Sequence, residues 1–354
     1  MQQEAPKGEL PMAAKVSQDE ARIWIEGLDQ YSWGGGRQEN SVMGAFNAAL
    51  QTLGEDVSYE YLMGVSGSAF RVQMSKNGFC PSSPHACCGY KCCEQALQET
   101  GWNLRLLPAQ NGEEPLSDEA KRALFGQIKK EIDAGRPVLA GAEESSLVVG
   151  YLKAEPVPLV RAYCQKGPGY QPMTKWPWGF SVLEKGETPK RKEVLVRSLS
   201  RAVELMDAKE FDGYHAGFAA YDSWIDRLRD EIILDNTSES ERFAMILGNG
   251  QTYYCLLDAR FSAAIYLESV ADELGADVSP RLRRAAGLYR ELVKALGGDK
   301  SPTEIAPMPW MLKQRDRTWT KEMRLDQAER LEKAKELDRL AVEEIRGALA
   351  LTQQ

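Results

Sequence analysis

The chain has 354 residues, 43% of them hydrophobic and 27% charged, the composition of a folded protein long enough for two cores rather than one. A formal net charge of −8 without a dense Lys/Arg stripe excludes wrapping a phosphate backbone, because no basic excess is present to displace counterions. No run approaches ~18 uninterrupted apolar residues, so no membrane span is expected. The first residues are polar and acidic, with no basic segment ahead of an apolar one, which predicts no signal peptide. Seven cysteines, an odd number in a large chain, fit reduced thiols in the cytoplasm better than a disulfide framework.

Residues 1–37 are expected to be a lead-in, closing with Trp33-Gly34-Gly35-Gly36-Arg37. A helix is predicted to start at Asn40 or Ser41, both good N-cap types, and to stop at Gly54. Tyr59 to Met63 reads as a short helix or turn, and Ser66 to Val72 as an extended run of small residues. Beyond a Cys/Pro/Ser-rich loop, Glu94 to Thr100 is helical and Trp102 to Leu106 alternates like a strand. Asp118 to Ala134 is amphipathic, with Ala123, Phe125, Ile128 and Ile132 on its expected buried side and Gly135 as the stop. Strands are predicted at Pro137 to Gly141, Leu147 to Tyr151, Leu159 to Cys164 and Gly179 to Glu184.

After Glu187 only helices are expected: Val194 to Met206, Tyr214 to Ile233, Glu239 to about Leu274, Pro280 to Leu296, and roughly Thr320 to Leu351. Pro302, Pro307 and Pro309 mark a linker before the last helix. That helix carries an apolar stripe through Leu331, Ala334, Leu337, Ala341, Ile345 and Ala348, suited to packing on the chain's own body or to a homodimer seam.

Three segments in this order are informative: Glu39-Asn40-Ser41-Val42-Met43 opening the first helix, Tyr61 through Phe70, and Ala134-Gly135-Arg136-Pro137-Val138 followed by Val148-Val149-Gly150-Tyr151. Over about residues 38–185 the chain resembles papain-like peptidases of the bacteriocin-processing type. It resembles more closely the N-terminal domain of the butirosin biosynthesis protein H group. The resemblance implies an α+β fold with an antiparallel sheet at 38–187; the helical pattern after Glu187 predicts an all-α part at 188–300 and a Pro-rich linker with a long helix at 301–354.

In that fold a cysteine heads the first helix, a histidine comes from a sheet strand, and an Asp or Asn on the next strand orients the imidazole. Carried over residue by residue, the nucleophile position falls on Ser41 and the histidine position on Ser145 or Ser146, while Leu159 to Tyr163 offers no Asp or Asn. A serine hydroxyl without a base is a poor nucleophile, so the resemblance implies a catalytically degenerate domain. Its cleft against the helical domain would bind a small molecule or peptide. Asn40, Ser41, Ser66, Gly67, Phe70 and Ser146 would line it, with Tyr214, His215 and Tyr221 from the helical side.

The chain has two histidines, His85 and His215. His85 lies in Cys80-Pro81-Ser82-Ser83-Pro84-His85-Ala86-Cys87-Cys88-Gly89-Tyr90-Lys91-Cys92-Cys93, which holds five of the seven cysteines. The bland expectation is a small-residue loop with thiols buried as compact apolar groups. Two sharper ones stay open. Cys87 or Cys88 with His85 would supply the nucleophile of an acyl or aminoacyl transferase, or of a cysteine hydrolase. Cys80, His85, Cys88 and Cys92 would hold a structural zinc, although their spacing matches no zinc ribbon or finger. No other cofactor is expected. His215 is placed at the start of a helix whose Gly217 and Ala219-Ala220 allow close packing. An oligomeric interaction protein assembled through the last helix is the third possible function.

Gly34-Gly35-Gly36 lacks the Lys-Ser/Thr of a phosphate loop, and Ser66-Gly67-Ser68 lacks a nucleophile elbow. Glu143-Glu144 read as surface charge, with an amine or cation site as the alternative, and Trp176 and Trp178 as a cleft edge or a lid on the core.

Overall fold

The computed structural model describes residues 13–35, 38–107, 117–231, 237–297, 300–314 and 319–352. In chain order the first elements are β1 (Val16–Gln18), β2 (Arg22–Ile25), α1 (Ser41–Thr52), α2 (Tyr59–Ser66), β3 (Gln73–Ser75), α3 (Cys92–Thr100), β4 (Trp102–Leu106) and α4 (Asp118–Asp133). Five strands follow: β5 (Val138–Gly141), β6 (Ser146–Leu152), β7 (Pro158–Arg161), β8 (Gln171–Pro172) and β9 (Gly179–Lys185). Then come α5 (Arg191–Asp207), β10 (Glu210–Phe211), β11 (Tyr214–Ala216), α6 (Gly217–Arg229) and α7 (Glu239–Val270). The chain ends with α8 (Ser279–Gly297), α9 (Pro302–Ile305), α10 (Pro309–Gln314) and α11 (Lys321–Thr352).

The fold is α+β with antiparallel sheets and a helical C-terminal region, and it divides into two compact units. The first comprises the described residues of Met1–Tyr59 with Leu97–Pro189, and the second Glu60–Ala96 with Lys190–Gln354. The expected boundaries at 38, 188 and 301 are thus redrawn: the chain leaves the first unit after Tyr59 and returns at Leu97.

The first unit is built on a sheet ordered β1-β2-β6-β5-β9-β4, with β7 paired to β6 and β8 to β7, every pairing antiparallel. The expected lead-in therefore contributes two strands, Trp24 of β2 pairing with Gly150 of β6. Residues 1–12 and the Gly36-Arg37 part of the glycine run lie outside the described residues. Consecutive residues Val138-Leu139-Ala140 of β5 and Leu147-Val148-Val149 of β6 are all buried, the pattern of strands covered on both faces. Both α1 and α4 pack on these two strands. Leu124, Ile128 and Ile132 form the buried stripe of α4, whereas Ala123, expected inside, is exposed.

The second unit is a helical assembly in which α11 packs along α5, α6 and α8, and α7 along α8. The stripe residues Leu331, Ala334, Ala341, Ile345 and Ala348 are fully buried there, which leaves those five positions no face for a second copy. The expected Pro-rich linker forms α9 and α10, with Ile305 and Ala306 in the core. Residues 214–216, expected to begin a helix, are instead β11, and the 66–72 stretch, expected to be extended, holds the end of α2 and a turn. A small sheet ordered β10-β11-β3 results. Ile232 and Ile233, the expected end of the helix after Tyr214, lie outside the described residues.

Candidate functional site

The head of α1 is fixed by Asn40. Its backbone is extended, its side-chain oxygen accepts the Met43 N–H at 3.2 Å, and its own N–H donates to the Tyr59 hydroxyl at 3.1 Å. The helix runs through the interior of the first unit, with every residue from Ser41 to Leu50 buried. Small side chains make that possible: a Cβ at Gly44 would collide with the Trp33 ring, and Ala45, Ala48 and Ala49 are fully buried.

Ser41 is the first residue of α1 and is 3% exposed. Its hydroxyl oxygen accepts the Ser145 N–H at 3.1 Å, so the head of the helix meets the start of β6, where half-buried Ser146 stands. Asn40, Ser41, Ser145 and Ser146 are therefore neighbours. On the adjacent strand Arg161, paired with Leu147, sends its buried guanidinium to the carbonyls of Tyr31, Gly167 (2.8 Å) and Gly169 (2.9 Å). That strand, Pro158–Arg161, carries no carboxylate to orient an imidazole. Both histidines belong to the second unit.

Sequence reasoning missed Cys164. It follows the strand after β6, in the left-handed backbone region (φ 58°), with its N–H on the Trp33 carbonyl at 2.9 Å. Its sulfur lies so close to Gly34 that a Cβ at that glycine would strike it and the Tyr163 ring. Tyr163 donates to the Glu39 carboxylate at 2.7 Å. Burial pushes the Cys164 thiol up, and the negative charges of Glu39 and Glu144 push the same way against the opposing Tyr163 hydroxyl and Gly35 N–H. A raised pKa disfavours the nucleophilic thiolate at this rim. Its position just past the strand expected to carry the third catalytic group was the available signal.

The cysteine loop sits in the second unit around Arg71. That guanidinium, 8% exposed, donates to the carbonyls of Pro84, His85 (3.0 Å), Cys88 (3.2 Å) and Tyr90 (2.9 Å). Gln73 adds bonds to the Ser83 and Cys88 carbonyls and accepts the Tyr90 N–H. His85 accepts the Cys87 N–H on Nδ1 at 3.2 Å, and the Cys88 sulfur is 3.9 Å from the same nitrogen. Burial, then the Arg71 charge, holds the imidazole below its ordinary pKa, so it is neutral at pH 7. The Cys87 sulfur lies against Cys93 instead. Cys80 contacts Ser82 at 3.0 Å, and Ser82 contacts the Tyr214 hydroxyl at 2.8 Å. Among the described residues no group of three or more His, Cys, Asp and Glu side chains is placed to hold a metal, so Cys80, His85, Cys88 and Cys92 do not converge as a ligand set.

The other residues expected at a ligand lie in the second unit. Phe70 is fully buried between Tyr266 and Tyr289, and buried Ser66 bonds the Met63 carbonyl and the Ser68 N–H. Gly67, at φ 85°, lies under Arg201 and Leu205. Tyr221 is fully buried and donates to Asp338 at 3.0 Å. His215 pairs in β11 with Met74 and Glu210 rather than heading a helix. A solvent-open depression between α8 and α11 is lined by charged residues including Lys294, Asp326 and Arg330, and contains none of these side chains.

No family model matches the chain, and no curated protein matches it either.

Proposed function

We propose that the first unit is a relative of papain-type hydrolases that has lost thiol–imidazole chemistry and binds a small molecule or peptide at the head of α1. The supporting observation is the Ser41 hydroxyl under the Ser145 N–H, at the helix terminus where the resemblance implies a thiolate. A serine hydroxyl is a poor nucleophile without an imidazole to take its proton, and neither histidine belongs to this unit. Cys164 is a poor substitute, because its surroundings disfavour the thiolate. The acidic side chains of Glu39 and Glu144 act on the Cys164 thiol at this rim, which is the ground for including amines among the ligands tested.

The test is a thermal-shift and native mass-spectrometry screen of the full chain against amines and short peptides. Ser146→Trp fills the half-buried rim position. The expected result is a binder whose affinity falls at least about tenfold, roughly 1.4 kcal/mol, in S146W and is unchanged in Arg339→Ala, a surface variant of the second unit. Binding indifferent to S146W would remove the site from the head of α1.

A second reading rests on the 3.9 Å approach of Cys88 to His85 Nδ1, which supports a thiol-dependent acyl transferase or hydrolase in the loop. His85→Ala abolishes turnover under that reading, and activity retained in H85A excludes His85 as the base.

A further inference from the structure

We propose that Cys87 and Cys93 are a redox pair that closes reversibly to a disulfide by exchange with a small-molecule disulfide of the oxidised-glutathione class. Their sulfurs are 2.9 Å apart. That is closer than the ~3.5–4.0 Å at which non-bonded heavy atoms rest and short of the ~2.05 Å of a covalent bridge. Both cysteines are free thiols in the structure.

The scaffold holds the pair from both ends. The Cys93 N–H meets the Ala86 carbonyl at 3.4 Å, which brings the residue before Cys87 onto the first turn of α3. Arg71 grips the carbonyls of His85 and Cys88 on either side of Cys87. The loop's other thiols are directed elsewhere: Cys80 to Ser82, Cys88 toward His85, and Cys92 fully buried.

Exposure and electrostatics divide the labour. Cys87 is exposed and Cys93 buried, so an oxidant arrives at Cys87. Cys93 carries the charge more readily. Its thiol is drawn down by the hydrogen bond from Cys87 and, less strongly, by backbone N–H groups of α3, while the same hydrogen bond pushes Cys87 up. In the exchange, the Cys93 thiolate takes the Cys87 proton across their hydrogen bond, and the Cys87 thiolate so formed attacks one sulfur of the disulfide R–S–S–R, forming a mixed disulfide and releasing RS⁻. That RS⁻ takes the proton from Cys93, whose thiolate then attacks the Cys87 sulfur, forming the protein bridge and releasing the second RS⁻. Two protein thiols are oxidised and one small disulfide is reduced to two thiols.

The test holds the full-length protein in glutathione buffers of graded reduced-to-oxidised ratio, blocks free thiols by alkylation and maps peptides by mass spectrometry. The expected result is loss of two hydrogens at oxidising ratios, with the bridge mapped to Cys87 and Cys93 and reversed by dithiothreitol. C88S and C92S keep the bridge, C87S lacks it, and C93S traps glutathione on Cys87. A wild-type map showing only glutathione adducts, unmodified thiols, or a bridge between other cysteines overturns the proposal, and that map needs no variant to fold.

Discussion

The Ser145 N–H has the Ser41 hydroxyl as its acceptor, so Ser41 is a structural residue whatever else it does. Replacing it with alanine leaves a partly buried donor unpaired, and S41A should lose about 1–2 kcal/mol in urea denaturation. S41C places a sulfur at the head of α1 without an imidazole, and should show no thioester or peptide turnover. Arg71 carries more, because one guanidinium satisfies four loop carbonyls. R71M should cost on the order of 3 kcal/mol and raise hydrogen exchange across residues 82–93. His85 gives a pH signature. Its folded pKa is below the ordinary value of 6.5, so the neutral form is the one the fold favours. Its contribution to stability is complete above pH 6.5 and declines as pH falls through that value, where the unfolded chain takes up its proton first. An NMR titration should find the His85 midpoint below 6.5, and the stability of H85Q should fall less than that of wild type as pH drops from neutral into the acid range.

At the scale of elements, helix ends and core strands were legible where local chemistry decides them. Asn40 caps α1 as its residue type suggests, and the apolar runs at Val138 and Leu147 are the central strands. What failed was long-range. β1 and β2 are short and lie among polar residues, and only the pairing of β2 onto β6 and of β1 onto β2 makes them strands. The β10–β11 hairpin had a local signal that helical periodicity masked. Asp212 and Gly213 both have positive φ between paired Phe211 and Tyr214, the two-residue turn that Asp-Gly favours. The site was legible only in part. Among the expected cleft residues Ser41 lies beside Ser145, whereas Phe70 and Tyr221 lie in the core because an aromatic residue near small ones marks tight packing as readily as a pocket.

Two contacts between helices of the second unit can be tested in the same way. Arg260 of α7 and Asp338 of α11 form a fully buried pair, Arg260 Nε donating at 2.9 Å. D338A strands the guanidinium and should cost about 3–5 kcal/mol, while the apolar pair R260M/D338L should recover most of it. Asp272 bonds Arg283 and Ser279 of α8, and its carboxyl is lowered from 3.8 to about 2. A lowered folded value stabilises above the unfolded pKa and is lost as pH falls from 3.8 through 2, so wild type and D272N should differ near neutral pH and converge below pH 2.

For the whole molecule, the chain's order does not map onto its units. Residues 60–96 belong with the helical unit, which no composition shift announced. The last helix is core rather than appendage: its stripe is buried along α5, α6 and α8. A chain ended at Pro309 should lose cooperative unfolding of the helical unit by circular dichroism, and a folded truncation would contradict this packing. No helix among the described residues is long and apolar enough to cross a membrane. Binding without thiol catalysis at the head of α1 is tested most directly by multiple-turnover assay of peptide and acyl-thioester substrates, with the full chain and its seven single Cys→Ser variants. No turnover that depends on Cys164 is expected, and none in S41C. Robust wild-type turnover abolished by C164S alone would contradict the loss of thiol chemistry at that site.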